Sequence, residues 1–190
     1  AILYILGNRL KERGMLNQNT VVATVMSNSG FVKSLQKAGM TCVQTAVGDR
    51  FVYECMQEND YSLGGEQSGH IILKKYATTG DGLLTAIMLT EEICDTKSDL
   101  SKLAAPVFVY PQSTKNLRVK DKATAISDQA VQAALKQAQA QIGENGRVLL
   151  RQSGTEPVVR IMAECETKDA AIAYAEKLAK VIEERGHLCD

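Results

Sequence analysis

The chain has 190 residues, 45% of them hydrophobic, and its 22 basic residues are matched by 22 acidic ones, for a formal net charge of zero. That length holds one large domain or two small ones, and that apolar content builds a core without disulfides. The balanced charge excludes the basic excess that marks nucleic-acid and anionic-membrane partners, and no apolar run approaches the roughly 18 residues that cross a bilayer. The five cysteines (Cys42, Cys55, Cys94, Cys165 and Cys189) are widely spaced and form no Cys-x-x-Cys pair. Reduced thiols in the cytoplasm are the simplest account. His70 and His187 have no cysteine at zinc-ligand spacing, so no metal site is expected from them.

The opening stretch Ala1-Ile2-Leu3-Tyr4-Ile5-Leu6 is too short for a signal-peptide core, and Arg9, Lys11 and Arg13 follow it where a signal would have them precede. It reads as a buried helix entered midway, without a cap, running to about Arg13 and stopped by Gly14. The expectation is a fragment of a longer polypeptide. Val21-Val22-Ala23-Thr24-Val25-Met26 is a continuous apolar run of the kind that forms a buried parallel strand. Ser27-Asn28-Ser29-Gly30 then opens an amphipathic helix with Phe31, Val32 and Leu35 on one side; these residues either cap it or offer amides to an anion. A second strand from Thr41 to Val47 completes a right-handed βαβ crossover. The corner Gly48-Asp49-Arg50 lies at the carboxyl end of that strand, where α/β folds bind ligands. Equally, Asp49 caps the helix running to about Glu58 and Arg50 is a surface charge.

The stretch Gly64-Gly65-Glu66-Gln67-Ser68-Gly69-His70 is a polar, glycine-rich loop before the strand His70-Ile71-Ile72-Leu73. Glycines allow close backbone approach, and the Glu66 carboxylate with the Ser68 hydroxyl suits the vicinal diol of a sugar. The plain alternative is a surface turn with His70 as a strand-end histidine. Asp81, between Gly80 and Gly82, reads as the cap of a helix from Leu83 to about Cys94.

Residues 98–111, with Pro106 and Pro111, mark a change of organisation. Val107-Phe108-Val109-Tyr110 begins a strand that stays extended to Val119. A helix from about Ser127 buries Val131, Ala134, Leu135, Ala138 and Ile142 and ends at Gly143. A last helix, capped by Thr167, buries Ala171, Tyr174, Ala175, Leu178 and Ile182. Between these helices, Arg151-Gln152-Ser153-Gly154-Thr155-Glu156-Pro157-Val158-Val159-Arg160 reads as a hairpin. A positive φ at Gly154 would let successive amides converge on an anion, and the arginines at either end match phosphate oxygens in bidentate fashion. A solvated hairpin with surface arginines is the alternative. The fold class is therefore an α/β three-layer domain with a mixed, largely parallel sheet, followed by a small α+β domain whose antiparallel sheet packs against helices.

The loops Gly65-Glu66-Gln67-Ser68-Gly69-His70 and Arg151-Gln152-Ser153-Gly154-Thr155-Glu156-Pro157, in this order and separation, resemble the α-D-phosphohexomutase superfamily. With Ala46-Val47-Gly48-Asp49-Arg50 the resemblance is closest to its bacterial phosphoglucosamine mutase branch. It covers essentially the whole chain and implies the third domain (1–103) and fourth domain (104–190) of a four-domain isomerase. That branch interconverts glucosamine 6-phosphate and glucosamine 1-phosphate for UDP-N-acetylglucosamine synthesis, through a phosphoserine and a bisphosphorylated sugar. The resemblance implies that Glu66 and Ser68 bind sugar hydroxyls, and that Arg151, Ser153, Gly154, Thr155 and Arg160 hold the phosphate that is not reacting. Asp49, Arg50 and His70 are the catalytic candidates near the reacting end. The implied partners are a phosphosugar and the preceding domains, and a homodimer of the intact enzyme stays open. The family's serine nucleophile and its Mg²⁺ loop of alternating aspartates have no counterpart in this sequence. Asp81 offers one carboxylate where several oxygen ligands are needed. The chain is thus expected to carry recognition sites and to be inactive alone. Two other readings are a phosphoglucose or phosphomannose branch and a non-catalytic phosphosugar-binding protein.

Overall fold

The apolar run after the first helix becomes a strand buried along its whole length, Thr20–Thr24, and the first unit of the fold is built around it. The computed structural model describes residues 1–189, which divide into one unit spanning Ala1–Val109 and a second from Tyr110 onward. In chain order the first unit holds α1 (Ile2–Glu12), β1 (Thr20–Thr24), α2 (Ser29–Lys37), β2 (Thr41–Thr45), α3 (Asp49–Glu58), β3 (Leu63–Gly65), β4 (Ile71–Leu73), α4 (Gly82–Thr96) and α5 (Leu100–Ala104). Its sheet has the order β2-β1-β3-β4, with β2 and β3 both parallel to β1 and β4 antiparallel to β3. Alternate residues of β1 serve opposite faces, as strand geometry requires. Val21 and Ala23 join the core beneath α1 and α2, and Val22 joins Val52, Met56 and Ile72 beneath α3. The three-layer arrangement expected from the sequence is present. Because β1, β2 and β3 are parallel, the loops after all three emerge at one edge of the sheet.

Two charged side chains, Arg9 and Glu92, are buried in this unit and pair with each other. Arg9 is only 2% exposed, and its guanidinium reaches Glu91 and Glu92 at 2.6 Å and Asp95 at 3.1 Å, tying α1 to α4.

Beyond α5, Leu103, Ala104 and Val107 pack on the core of the first unit. The strand expected from Val107 does not form there. The Val107 amide donates to the Ala104 carbonyl at 2.9 Å and the Phe108 amide to Ser34 Oγ at 2.8 Å, so these donors are already taken. Pro111 has no N–H to offer, and ladder pairing starts only at Gln112.

The second unit holds β5 (Gln112–Arg118), α6 (Lys122–Ser127), α7 (Gln129–Ile142), β6 (Arg147–Gln152), β7 (Val158–Glu164) and α8 (Lys168–Glu184). Its sheet is antiparallel, in the order β5-β7-β6. The expected stripes of α7 and α8 (Val131, Ala138, Ile142; Ala171, Ala175, Leu178, Ile182) meet Val148, Val159, Ile161 and Ala163 of the sheet. The sequence reading did not anticipate α6, which Asp121 caps by accepting from the Thr124 amide at 2.7 Å. Arg147 and Glu164 are cross-strand partners at the far end of the β6–β7 ladder. Arg147 Nε and a terminal nitrogen grip the fully buried Glu164 at 2.9 and 3.1 Å. All five cysteines are free, and no described helix is long and apolar enough to cross a membrane.

Two stability predictions follow from this packing. Arg9→Ala strands the buried Glu92 carboxylate and is expected to cost about 3–5 kcal/mol in urea unfolding, with most of the loss recovered when Glu92→Leu is added. At the start of α7, Asp128 accepts from the Ala130 and Val131 amides, from Arg185 Nε at 3.0 Å, and lies 3.1 Å from His187 Nε2. Desolvation alone would raise this carboxyl, but the hydrogen bonds from His187, Arg185 and the two amides outweigh it and hold the group well below its ordinary 3.8. A depressed folded value stabilises the folded state above the unfolded value and loses that contribution as pH falls through the folded one. The Tm of the second unit should therefore drop below about pH 4, and Asp128→Asn should flatten that acid limb.

Candidate functional site

In the first unit, the loops after β2 and β3 meet at the carboxyl edge of the sheet. The contact is made possible by β3. The glycines at 64 and 65, read from the sequence as part of a loop, are buried strand residues. A Cβ on Gly64 would lie 2.5 Å from Met56 Sδ and 2.7 Å from Val52 Cγ1, so α3 can rest on β3 only because that position has no side chain. This close seating places Gly48, the residue that starts α3, against the end of β3. There the Gly48 amide donates to Glu66 Oε1 at 2.9 Å. Gly48 has φ +132°, a conformation that favours glycine. Glu66 is 11% exposed, with Oε2 3.7 Å from His70 Nδ1.

The segment 66–70 is a tight turn. The Glu66 amide donates to the His70 carbonyl at 2.9 Å and the Gly69 amide to the Glu66 carbonyl at 3.2 Å. Ser68 Oγ lies 3.5 Å from His70 Nδ1, and both side chains face solvent. Glu66, Ser68 and His70 thus form one polar group, and Glu66 links it to the Gly-Asp-Arg corner. Asp49 accepts from the Arg50 amide at 2.8 Å and is the first-turn acid of α3, while the N-cap position belongs to Gly48. Arg50 is 81% exposed and held by Glu54 at 2.7 Å, which raises its pKa. Asn28 caps α2 by accepting from the Gly30 amide at 2.9 Å, in keeping with the capping alternative. Asp81 likewise caps α4, accepting from Leu84 at 2.9 Å.

In the second unit, the loop 153–157 joins β6 to β7. Arg151 and Arg160 are direct cross-strand partners. Like charges placed opposite one another repel, and burial together with the neighbouring Arg160 lowers the Arg151 pKa. Arg160 is partly neutralised by Glu156 at 2.9 Å, but its Nε is buried without a hydrogen-bond partner among the described residues. The site therefore stores positive charge that an anion would relieve. Ser153 is 3% exposed, and its hydroxyl accepts from the Glu156 amide at 3.3 Å, so it shapes the turn from within. Gly154 and Thr155 are exposed.

One expectation is corrected here. Gly154 does not have a positive φ, and a Cβ on it would meet nothing within 4 Å. Its contribution in this structure is open space above the backbone. The sequence reading also missed Lys122, whose Nζ donates to the Ser153 carbonyl at 2.9 Å. Lys122 belongs to α6 and is 31 positions away. The only local sign was the Asp121 cap that starts its helix.

Residues 1–110 match the phosphoglucomutase/phosphomannomutase alpha/beta/alpha domain III, and residues 115–181 match the phosphoglucomutase/phosphomannomutase C-terminal domain. The chain belongs to the phosphoglucomutase/phosphomannomutase family. It is 51% identical over 183 residues to a phosphoglucosamine mutase of an Exiguobacterium species, covering 96% of this chain and 40% of that relative. It is also 51% identical over 184 residues to the phosphoglucosamine mutase of Anoxybacillus flavithermus, covering 97% of this chain and 41% of that one. The chain therefore spans about two fifths of the length of these relatives. Among solved structures, it shares its fold with Aspergillus fumigatus N-acetylphosphoglucosamine mutase in complex with GlcNAc-6P and magnesium. That likeness has a TM-score of 0.78 at 17% identity, covering 97% of this chain and 42% of the other. No group of three or more His, Cys, Asp or Glu that would hold a metal ion is gathered among the described residues.

The seating of α3 on β3 is open to test. Gly64→Ala should cost about 1–3 kcal/mol by overpacking, measured by urea unfolding. It should also shift the Gly48 amide resonance, because the hydrogen bond to Glu66 depends on that seating.

Proposed function

We propose that this chain is the C-terminal, substrate-recognising portion of a cytoplasmic phosphoglucosamine mutase, comprising the third and fourth domains of that enzyme. The observation that carries the reading is the bond from the Gly48 amide to Glu66, which joins the Gly-Asp-Arg corner to the Glu-Gln-Ser-Gly-His turn in one polar group. That group belongs to a chain half identical to phosphoglucosamine mutases. In the whole enzyme, glucosamine 6-phosphate and glucosamine 1-phosphate exchange through a phosphoserine and a bisphosphorylated sugar that turns over between two transfers.

Each residue then has a part. Glu66 has one oxygen committed to Gly48 and the other free to accept a sugar hydroxyl. Ser68 donates or accepts beside it, so a pair of vicinal hydroxyls is held in either orientation of the sugar. Arg151 and Arg160, with the Thr155 hydroxyl and the amides of Gly154 and Thr155, hold the phosphate that is not reacting, while Ser153 shapes the turn from within and Lys122 braces the loop. Binding energy gathered at that remote phosphate orients the reacting one. On this reading Asp49, Arg50 and His70 stand near the reacting phosphate, and His70, 3.5 Å from Ser68 Oγ, is one of the groups that could assist proton transfer. Mg²⁺, which would supply charge stabilisation to phosphoryl transfer, does not fit the residues of this chain. Asp81, the one carboxylate of the Gly-Asp-Gly loop, is committed to capping α4. The nucleophilic serine and the metal ligands would come from the preceding domains.

A titration followed by NMR tests this reading. Glucosamine 6-phosphate should shift the amides of residues 153–155 and 66–69 together, and glucose 6-phosphate should act less on the second set. Arg160→Ala should weaken binding by roughly 10-fold or more, the loss of one charge-assisted hydrogen bond. Inorganic phosphate reproducing every shift would overturn the sugar reading, and turnover by the purified chain would overturn the division of labour.

A further inference from the structure

α4 is apolar on both sides. Thr85, Met88 and Glu92 are buried within the first unit, yet Leu83 is 74% exposed and Ile87 51%. Leu83, Ile87, Thr90 and Cys94 follow one another at spacings of four, three and four and are all exposed, which makes a single stripe along the outer side of the helix. A shallow cleft lies along this stripe, lined by Ala86, Ile87, Thr90 and Cys94 and bordered by Glu91 and Asp95, whose carboxylates reach Arg9 and Arg13. Single exposed apolar residues are ordinary, but a continuous stripe on the side away from the core is the mark of a second covered face.

The length of the relatives and the direction of α1 bear on what covers that side. The relatives carry about three fifths of their length outside the part matched here, and the matched part consists of the third and C-terminal domains. Arg9 reaches Glu91, Glu92 and Asp95, whereas Arg13, one turn further along α1, reaches Asp95 alone, so α1 and α4 run in the same direction. Ala1 therefore lies at the Leu83 end of α4, and polypeptide preceding Ala1 emerges beside the start of the stripe. We propose that the outer face of α4 is a docking surface for the polypeptide that precedes this chain in the full-length protein. The inference rests on reading the chain as part of a longer polypeptide, and it does not depend on which sugar is bound.

Cys94, at the end of the stripe, serves as the reporter, and Cys189, also exposed, as its control. The full-length protein is treated with a maleimide over a range of protein concentrations, and labelling is followed peptide by peptide. Cys94 is expected to react roughly tenfold or more slowly than Cys189 at every concentration, since its exposure then waits on opening of the interface. Ile87→Glu should accelerate Cys94 and leave Cys189 unchanged. Ile87→Ala, which removes contacts without adding charge, should give a smaller acceleration in the same direction and guards against a folding defect. Equal rates at Cys94 and Cys189 would overturn the proposal. So would protection that vanishes on dilution, which would put a second copy of the protein on this face. The labelling requires no turnover, so a failure of the mutase reading would be seen separately.

Discussion

The first unit depends on a missing side chain. At Gly64, the sheet presents bare backbone to Val52 and Met56, and α3 descends onto it closely enough that one added carbon would collide with both. The position of α3 fixes the position of its first turn, and so of the Gly48 amide. That amide in turn holds one oxygen of Glu66 at the end of the neighbouring strand. The chain of dependence runs from a packing constraint in the core to the orientation of a carboxylate at the edge. A Glu66 oriented only by solvent would sample several rotamers, and each hydrogen bond to a sugar would then carry the cost of ordering it.

The second unit arranges its site differently. There the constraint is β-sheet register, which sets Arg151 directly across from Arg160. Two guanidinium groups opposed on one face are unfavourable by themselves, and the pKa of Arg151 is lowered by burial first and by Arg160 second. The rest of the ladder holds them there. Val148, Val159 and Ile161 are fully buried under α7 and α8, and Arg147 clasps Glu164 at the far end of the same pair of strands. Register cannot slip by one residue without turning these apolar residues to solvent. The stability of the hydrophobic face thus maintains an electrostatic strain at the tip, and Glu156 moderates it by binding Arg160.

Much of this was legible in the sequence, because the features concerned are local. Continuous apolar runs gave β1, period-3.6 stripes gave α7 and α8, and Asn28, Asp81 and Thr167 cap the helices whose starts they marked. What was not legible depends on contacts between distant residues. Gly64 and Gly65 looked like a loop because glycine is a poor strand former, and only the approach of α3 explains why they belong in a sheet. Val107–Tyr110 had strand-forming residues, but Ala104 and Ser34 claim the amides of Val107 and Phe108. Lys122 reaches Ser153 across 31 positions of sequence, and no periodicity announces such a contact. Gly154 was read through the usual role of glycine, a positive φ, when its use here is to leave space.

On the proposed function, a chain with no net charge recognises an anionic ligand by placing different groups on its two units. Unit 1 offers the Glu66 carboxylate, which accepts hydrogen bonds, and the Ser68 hydroxyl, which donates or accepts, with one Glu66 oxygen already holding the Gly48 amide. Unit 2 concentrates its cations at one hairpin tip, where two strands force them together and burial limits their hydration. On the proposed function, these are different tasks. The phosphate clamp supplies binding energy that is nearly the same whichever end of the sugar is presented, whereas the Glu66 group must accept the ring in both orientations with similar fidelity.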